Sequence, residues 1–552
     1  MSDIEAPAVV YVNTNEKKDD SSSSSGNWSY TAGGSRDPDD MVRRRLKQRH
    51  IQMIAIAGTF GTGLFLNSGY VLATAGPAGA LIAYILVGSV SYATLCAVSE
   101  LAAYAPISGS FPLFAARWVD PALGFAIGWN YFYTAAIGVP GEITASSILI
   151  TYWDSNFDHL PIYIAVVILF VIGVNFLGAR YFGEAEFTFA IIKLTMLTGL
   201  ILLGLIVDLG GGPDHDRRGF RYWKNPGAFN QLGLEPTKPN LDRFLAIMSS
   251  IVQAAFGFSG IEIVAVAASE TENPRRNVVK AVRRVFWRIF LFYICGTLII
   301  GMTVPSNDPR LLRPTGTAAQ SPYIIAMERA GIKILPSIVN AGIFTSALSA
   351  SSSFMFTASR ILYGLGLRGL APRWVSYCTK GGLPIAALAI CSCFPWLAFM
   401  AVKSGSAKVF TWFINISTLG TFIGWWTINL TFLRFWAACR VQHVDRNDKS
   451  RFAYKSPLQP YLGIWAMVWT TFFILINGFT VFYKWDVSKF LTAYINIPIY
   501  IVLYFGYKIV CKSKIPKLKD VDLVTNIPTM EETERPEIPP TTIWGKIADV
   551  LF

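Results

Sequence analysis

Apolar stretches of about twenty residues recur along almost the whole chain, and they restrict it to a small set of folds. A helix of that length spans the roughly 30 Å hydrocarbon core of a bilayer. The composition agrees, because 53% of the 552 residues are hydrophobic and only 15% are charged, whereas soluble domains carry about 25% charged residues. The sequence therefore predicts an all-α integral membrane protein.

Hydropathy divides the chain into three regions. We predict a disordered cytoplasmic tail over residues 1–48, a twelve-helix membrane domain over 49–512 and a cytoplasmic C-terminal tail over 513–552. The first region is rich in serine and charge, which is typical of disorder, and it has no apolar run that would predict a secretory signal. The 12 transmembrane helices are predicted at about residues 50–74, 78–104, 121–152, 160–178, 186–208, 243–268, 286–305, 334–363, 383–402, 408–433, 459–482 and 488–510.

The charge pattern predicts both termini in the cytoplasm. Lys and Arg exceed Asp and Glu by 48 to 35, a net charge of +13. The basic residues gather beside the ends of apolar segments, as at 43–49, 274–284 and 508–519, which indicates cytoplasmic loops rather than a nucleic-acid site. The loop at 209–242 is also basic, although the twelve-helix count places it outside. We expect a lipid bilayer as partner and no nucleic acid.

The chain lacks the usual sequence signs of a metal site or of catalysis. Its seven cysteines include no CxxC pair, and its four histidines include no pair at i, i+4. The polar segments contain no phosphate-binding glycine loop and no paired carboxylates of a catalytic site. We therefore expect no metal, no cofactor, no catalytic residues and no ATP-driven step.

Away from the span ends, five ionisable residues lie inside the predicted spans: Glu100, Glu142, Lys193, Glu262 and Arg360. A charge at the bilayer centre costs about 2.5 to 3.5 kcal/mol, so it either pairs structurally or marks a transport pathway. Depth in the membrane favours a functional role for Lys193 and Glu262. Glu100 and Arg360 are near span ends, which favours a structural role. Glu142 lies beside small residues, where it either faces a pocket, pairing with a cationic substrate, or is structural.

Two spans carry glycine clusters near mid-membrane. Gly58, Gly61 and Gly63 lie in the first predicted span, and Gly257 and Gly260 lie in the sixth. Such a pair of interrupted segments predicts discontinuous helices in two inverted repeats. The amides at a half-helix N-terminus bind an anionic group, and the freed carbonyls bind a cation.

The ordered motifs resemble those of a known family. RHIQMIAIAGTFGTGLFLNSG, GEAEFTFAIIKLTML and ASETENPRRNVVKAVRRVFWRI are similar to segments of the fungal amino acid permeases, within the amino acid, polyamine and organocation superfamily. The resemblance covers about residues 46–512. It implies a leucine-transporter-like fold, a 5+5 inverted repeat with broken helices 1 and 6. It also implies uptake across a fungal plasma membrane driven by the proton gradient.

The resemblance also implies roles for individual residues. The amides at 61–63 are matched to the substrate carboxylate, and the carbonyls of Thr59, Phe256 and Ser259 are matched to its ammonium group. Phe256 is also matched to the aromatic gate. The full set of implied substrate-binding residues is Thr59, Gly61, Thr62, Gly63, Phe256, Gly257, Phe258, Ser259 and Gly260.

Proton coupling is implied for two of the interior charges. Lys193 matches a lysine that replaces a sodium ion in proton-coupled relatives, and Glu262 matches an acid assigned to gating and coupling. Glu142 fits a PxEL-like motif and Glu100 lies at a span end, so each is a possible pocket or structural residue.

The implied function is an amino acid:H+ symporter that works by alternating access. Uptake of polyamines or other organic cations is an alternative, and a non-transporting amino acid sensor is an alternative of another class. The short tails favour the transporter, and Lys17 and Lys18 are possible ubiquitin acceptors for a ubiquitin ligase. Departures such as FGFSGIE in place of FSFxGTE leave the substrate open.

Overall fold

The computed structural model describes residues 53, 61–106, 110–150, 152–154, 156–263, 265, 273–311, 321–404, 406–448, 451–525 and 527. Over these ranges the regular secondary structure is helical, with no β-strand. Thr59, Lys17 and Lys18 lie outside the described residues, as does the predicted tail 1–48.

The described residues form seventeen α-helices, with short π-helical and 3₁₀ segments between some of them. In chain order they are α1 (Thr62–Phe65), α2 (Asn67–Tyr104), α3 (Ser110–Trp118), α4 (Pro121–Ile150), α5 (Leu160–Phe176), α6 (Ala179–Asp208), α7 (Pro239–Phe256), α8 (Pro274–Arg288), α9 (Gly296–Thr303), α10 (Pro322–Arg329), α11 (Leu335–Leu367), α12 (Ile385–Cys391), α13 (Met400–Ser404), α14 (Ser406–Val441), α15 (Tyr461–Ile476), α16 (Val487–Tyr494) and α17 (Asn496–Cys511).

Most of the long helices coincide with the predicted apolar segments, whereas α3, α8 and α10 lie largely between them. The number of membrane crossings stays a prediction. By length and apolar composition, five helical stretches of the described chain qualify as spans, and a sixth if α16 and α17, which meet at 41°, count as one. Other long helices are richer in hydroxyl side chains. On α14, for example, Thr421, Thr427 and Thr431 each donate to the carbonyl four residues earlier, so these polar groups are satisfied within the helix.

Gly76 separates the first two predicted spans. With 38 residues, α2 extends over about 57 Å, which is too long for one crossing. The backbone of Gly76 has φ +76°, in the left-handed region, and Pro77 follows it. A Cβ at Gly76 would lie 2.8 Å from the carbonyl oxygen of Ala228. Conformation and close approach both require glycine here, and the break falls between the predicted boundaries at 74 and 78.

The centre of the bundle is α4. It packs most extensively against α11 and α14, while α2 packs along α7. Glycines permit this close approach, because a Cβ at Gly138 would lie 3.0 Å from the Phe354 ring and one at Gly420 would collide with Thr134. This central position of α4 sets the location of Glu142.

Large apolar side chains cover the outside of the bundle. Val166 and Leu169 on α5, Leu202 on α6, Val468 on α15 and Val502 on α17 are all more than half exposed. An apolar surface of this extent is unusual on a soluble monomer and suits contact with lipid tails.

Part of the predicted C-terminal tail packs on the bundle. The Leu523 side chain is only 2% exposed, and the Leu523 carbonyl accepts a hydrogen bond from the Tyr104 hydroxyl at the end of α2. Asp522 pairs with Arg117 of α3 at 3.0 Å. The side chain of Gln442, next to α14, donates to the carbonyl of Val521 at 2.7 Å. The segment after α17 therefore connects the ends of three helices.

An ion-pair cluster connects the segment just after α9 to the end of α10. The buried Asp308 carboxylate accepts hydrogen bonds from Arg310 at 2.8 Å and Arg329 at 3.1 Å. Arg310 also pairs with Glu328 at 3.1 Å. Burial alone would raise the pKa of Asp308, but the hydrogen bonds from Arg310 and Arg329 hold that pKa down to about 2.

We expect Asp308→Asn to lower the free energy of unfolding by about 2 kcal/mol at neutral pH, the usual worth of hydrogen bonds to a buried charge. Because the pKa is lower in the folded state, this stabilisation is complete above the ordinary value of 3.8 and is lost as pH falls through about 2. Thermal unfolding of purified protein at several pH values would therefore show the variant and the wild type converging in acid. The exposed Asp216, paired with Arg221, is the control, since Asp216→Asn should change little. A constant difference down to pH 2 would contradict the assignment.

Candidate substrate and proton site

The sixth predicted span is interrupted. Helix α7 ends at Phe256, and residues 257–262 form hydrogen-bonded turns in which Gly260 has φ +86°. The Gly257 carbonyl accepts a hydrogen bond from the Tyr293 hydroxyl at 2.5 Å instead of from a helical amide. The interruption therefore removes backbone groups from helical pairing near the middle of the bundle.

A second helix end lies directly against this interruption. Helix α1 begins at Thr62, after the extended Gly61, which has φ −107°. A Cβ on Gly63 would lie 2.8 Å from Cα of Gly257. The two backbones thus touch without intervening side chains, which only glycine permits at this distance.

A carboxylate from α4 occupies the start of α1. The Glu142 side chain accepts a hydrogen bond from the Thr62 amide at 3.3 Å and one from its hydroxyl at 3.0 Å. Glu142 is only 2% exposed, and a Cβ on Gly61 would collide with its carboxylate. A helix N-terminus favours an anion, so this position has the chemistry of a carboxylate site.

Glu142, the start of α1 and the turns after α7 enclose a small cavity. The unfilled space is about 10 Å³, roughly room for one water, so side chains must move before an amino acid fits. The lining residues are Gly61, Gly63, Glu142, Phe256, Ser259, Ile263, Ala350, Ser353 and Phe354.

Not all of the implied binding residues line this cavity. Phe258 lies outside the cavity and stacks on Tyr293, with ring centroids 4.1 Å apart. Gly257 and Gly260 belong to the turns that follow α7. Thr62 acts on the cavity through its bonds to Glu142.

A larger cavity of about 270 Å³ lies one turn away along α7. Gln253, three residues before Phe256, lines it together with Lys408, Asn415 and Asp486. Polar and apolar side chains share its lining, and Gln253 places it close to Phe256 along α7. Sequence reasoning did not identify it, because its walls come from four separate segments.

Lys193 lies in a hydrogen-bonded cluster on α6. Its side chain is fully buried, and Nζ donates to the Ser349 hydroxyl of α11 at 2.7 Å. Ser349 donates in turn to Glu186 at 2.6 Å, and Nζ lies 3.9 Å from the other oxygen of Glu186. Sequence reasoning missed Glu186, because hydropathy placed the start of the fifth span at that residue. Its spacing of seven residues from Lys193, two turns on one helix face, was the available signal.

Glu262 has neutral partners. Its two carboxylate oxygens accept hydrogen bonds from the Tyr131 hydroxyl at 2.6 Å and from the Trp425 indole at 3.1 Å. Tyr131 belongs to α4 and Trp425 to α14. Glu262 therefore links the turns after α7 to the two helices that form the centre of the bundle.

Glu100 and Arg360 are paired with protein groups away from the central cavity. Glu100 pairs with Arg446 and accepts a hydrogen bond from the Ser456 amide at 2.9 Å. The Arg360 guanidinium lies 4.0 Å above the Phe356 ring and donates to Ser359. Neither residue lines the central cavity.

Over the described residues, the helical fold with its apolar exterior is that of a polytopic membrane protein. The amino acid permease family model matches residues 50–520. The chain belongs to this family. Its relatives are named as permeases, which are transporters and not enzymes.

Several yeast permeases are similar over most of the chain. The dicarboxylic amino acid permease of Saccharomyces cerevisiae is 41% identical, over 90% of this chain and 82% of its own length. The proline-specific permease of the same yeast is 38% identical, over 93% and 83%. Its basic amino-acid permease is 37% identical, over 92% and 88%.

One solved structure shows a similar fold. A manganese transporter from Eremococcus coleocola aligns with a TM-score of 0.52 and covers 84% of this chain and 94% of its own chain. Its sequence identity is 11%, so the likeness concerns the transporter fold alone.

We expect Glu100→Gln to destabilise the protein by about 3 kcal/mol, because Arg446 loses its buried partner, while the substrate affinity of the folded fraction stays unchanged. Thermal unfolding in detergent measures the first effect and equilibrium binding the second. Asp445→Asn, at an exposed acid of the same loop, is the control. A large change in affinity without loss of stability would assign Glu100 to the transport pathway instead.

Proposed function

We propose that this protein is a secondary active transporter that imports amino acids together with protons by alternating access. The observation that carries the proposal is the carboxylate of Glu142 on the amide and hydroxyl of Thr62. It indicates that the start of α1 accepts a carboxylate next to an otherwise closed cavity. No cofactor takes part, since the proton gradient is the driving force. The proposed location is a fungal plasma membrane, with both termini in the cytoplasm.

In this proposal the substrate carboxylate replaces that of Glu142. The amides at 61–63 bind it, and the carbonyls of Phe256 and Ser259, together with that of Thr59, receive the ammonium group. Glu142 then turns to the ammonium group of the substrate. One carboxylate replaces another at the start of α1, so the negative charge beside this helix terminus stays nearly the same. The Phe256 ring moves aside because the cavity is otherwise too small.

Lys193 is the proposed coupling residue, with Glu262 as the second candidate. A buried ammonium needs compensating partners, and Lys193 has Ser349 and Glu186. Loss of its proton would remove the need for those partners and favour a different packing of α6 against α11. The membrane potential adds about 2.3 kcal/mol per charge per 100 mV, so one coupled proton supports substantial accumulation.

Sequence similarity to the relatives does not identify which amino acid the protein transports. Relatives named for dicarboxylic amino acids, proline and basic amino acids have nearly equal identities of 41%, 38% and 37%. The acid in the cavity, Glu142, favours the alternative of a basic amino acid, a polyamine or another organic cation. Uptake of a labelled panel of amino acids and polyamines decides between these substrates. A complete absence of uptake would favour the non-transporting sensor. Ubiquitin ligation at Lys17 and Lys18 stays a prediction.

We expect Gly63→Val to abolish uptake. Its side chain would press on the Gly257 backbone and on the Phe256 ring, 3.0 Å away, and so fill the proposed carboxylate site. Radiolabelled uptake and cell-surface protein are measured together in permease-deficient cells. Gly173→Val is the matched control, because apart from its own helical turn nothing in the described part of the chain lies within 4 Å of its Cβ position. Wild-type substrate affinity in a well-expressed Gly63→Val variant would exclude the proposed site.

We expect Lys193→Met to abolish proton-driven accumulation in vesicles while slow exchange of substrate across the membrane persists. Each pH unit supplies about 1.4 kcal/mol, or roughly tenfold accumulation for one coupled proton. Accumulation is measured at several imposed pH gradients, and exchange is measured without a gradient. If the folded variant accumulates substrate like the wild type, Glu262 becomes the coupling candidate.

A further inference from the structure

The buried carboxylate of Glu186 lies on the same helix as Lys193. Glu186 is 1% exposed and precedes Lys193 by seven residues, about 10 Å along α6. Its Oε2 accepts the hydrogen bond from Ser349, whereas its Oε1 finds no hydrogen-bond donor among the described residues. A buried oxygen without a donor is costly for a carboxylate.

The Ser349 hydroxyl connects the two charged groups. Lys193 Nζ donates to Ser349 Oγ at 2.7 Å, and Ser349 Oγ donates to Glu186 Oε2 at 2.6 Å. Both hydrogen bonds run in the same direction, from the ammonium group towards the carboxylate. A hydroxyl that accepts one proton and donates another can transfer a proton along such a chain.

We propose that Glu186 accepts the coupled proton from Lys193 through Ser349 and releases it towards the cytoplasm. This inference rests on the proposed proton symport. In the transfer, Nζ gives a proton to Oγ while the original Oγ–H bond breaks and its proton binds Oε2. An ammonium and a carboxylate become a neutral amine and a neutral carboxylic acid, with no change in net charge and no redox step. In the predicted topology α6 begins at the cytoplasmic side, so Glu186 is nearer to that side than Lys193.

The other charges near Lys193 fit such a transfer. Among the described residues, the charged groups that act on Lys193 include Glu186 on α6, Glu142 on α4 and Arg288 on α8, and only this set is considered in the charge balance. Two cations and two anions balance when Lys193 is protonated. Transfer to Glu186 keeps this balance, because one positive and one negative charge disappear together. The buried cluster therefore avoids an uncompensated charge during the step.

The decisive variant is Glu186→Gln, studied in proteoliposomes with the full chain. The amide keeps the shape of the side chain and still accepts the hydrogen bond from Ser349, but it cannot take up the proton. We expect substrate exchange without a pH gradient to stay within about twofold of the wild type. Accumulation driven by one pH unit should fall from about tenfold to none. Substrate-induced proton entry, followed with an internal pH-sensitive dye, should be lost.

Two further variants accompany it. Glu184→Gln removes a carboxylate that lies two residues away on the same helix and is only half-buried, and it should behave like the wild type in every assay. Ser349→Ala interrupts the chain of hydrogen bonds and should reduce accumulation more than exchange. If Glu186→Gln does not reach the membrane in a folded form, Ser349→Ala decides, and wild-type accumulation in that variant overturns the proposal.

The outcomes separate this inference from the function on which it rests. Accumulation like that of the wild type in Glu186→Gln, together with loss in Lys193→Met, overturns the role of Glu186 and leaves proton symport intact. Equal loss of exchange and accumulation in folded Glu186→Gln means that the residue only stabilises the packing of α6 on α11, which also overturns it. A wild type without proton-linked accumulation removes the proposed function itself.

Discussion

A charge buried in a helical bundle has to be compensated, and this constraint organises the centre of the protein. Glu142 is compensated by the start of α1 and Lys193 by Ser349 and Glu186. Glu262 is held by the Tyr131 hydroxyl and the Trp425 indole. Each arrangement joins segments distant in the sequence, so the same contacts that stabilise the bundle also define its polar interior.

The compensation depends on backbones that approach closely. Gly63 lies against Gly257, and the glycines of α4 and α14 admit side chains of neighbouring helices. Bulkier residues would separate α1 from the turns after α7 and remove Glu142 from Thr62. The small cavity follows from the same packing. In the proposed binding mode the Phe256 ring and the Glu142 carboxylate have to move, because side chains nearly fill the cavity.

Sequence patterns predicted the helix positions well, because long apolar segments have few alternatives to a membrane-spanning helix. Glycine clusters also indicated where the sixth span is interrupted, and four of the implied binding residues, Gly61, Gly63, Phe256 and Ser259, line one cavity. The hydrogen bonds from Thr62 to Glu142 could not be predicted, since they depend on how α4 is rotated against a segment 80 residues away. Glu186 was overlooked because hydropathy alone treats an acid at the edge of an apolar run as a boundary.

The contacts of the segment after α17 make its position depend on the positions of three helix ends. Asp522 and Leu523 contact α2 and α3, and Val521 is bound by Gln442 beside α14. Any movement that separates the ends of these helices has to break those bonds, and Val521, Asp522 and Leu523 are then released. The position of this segment is therefore physically linked to the spacing of the three helix ends.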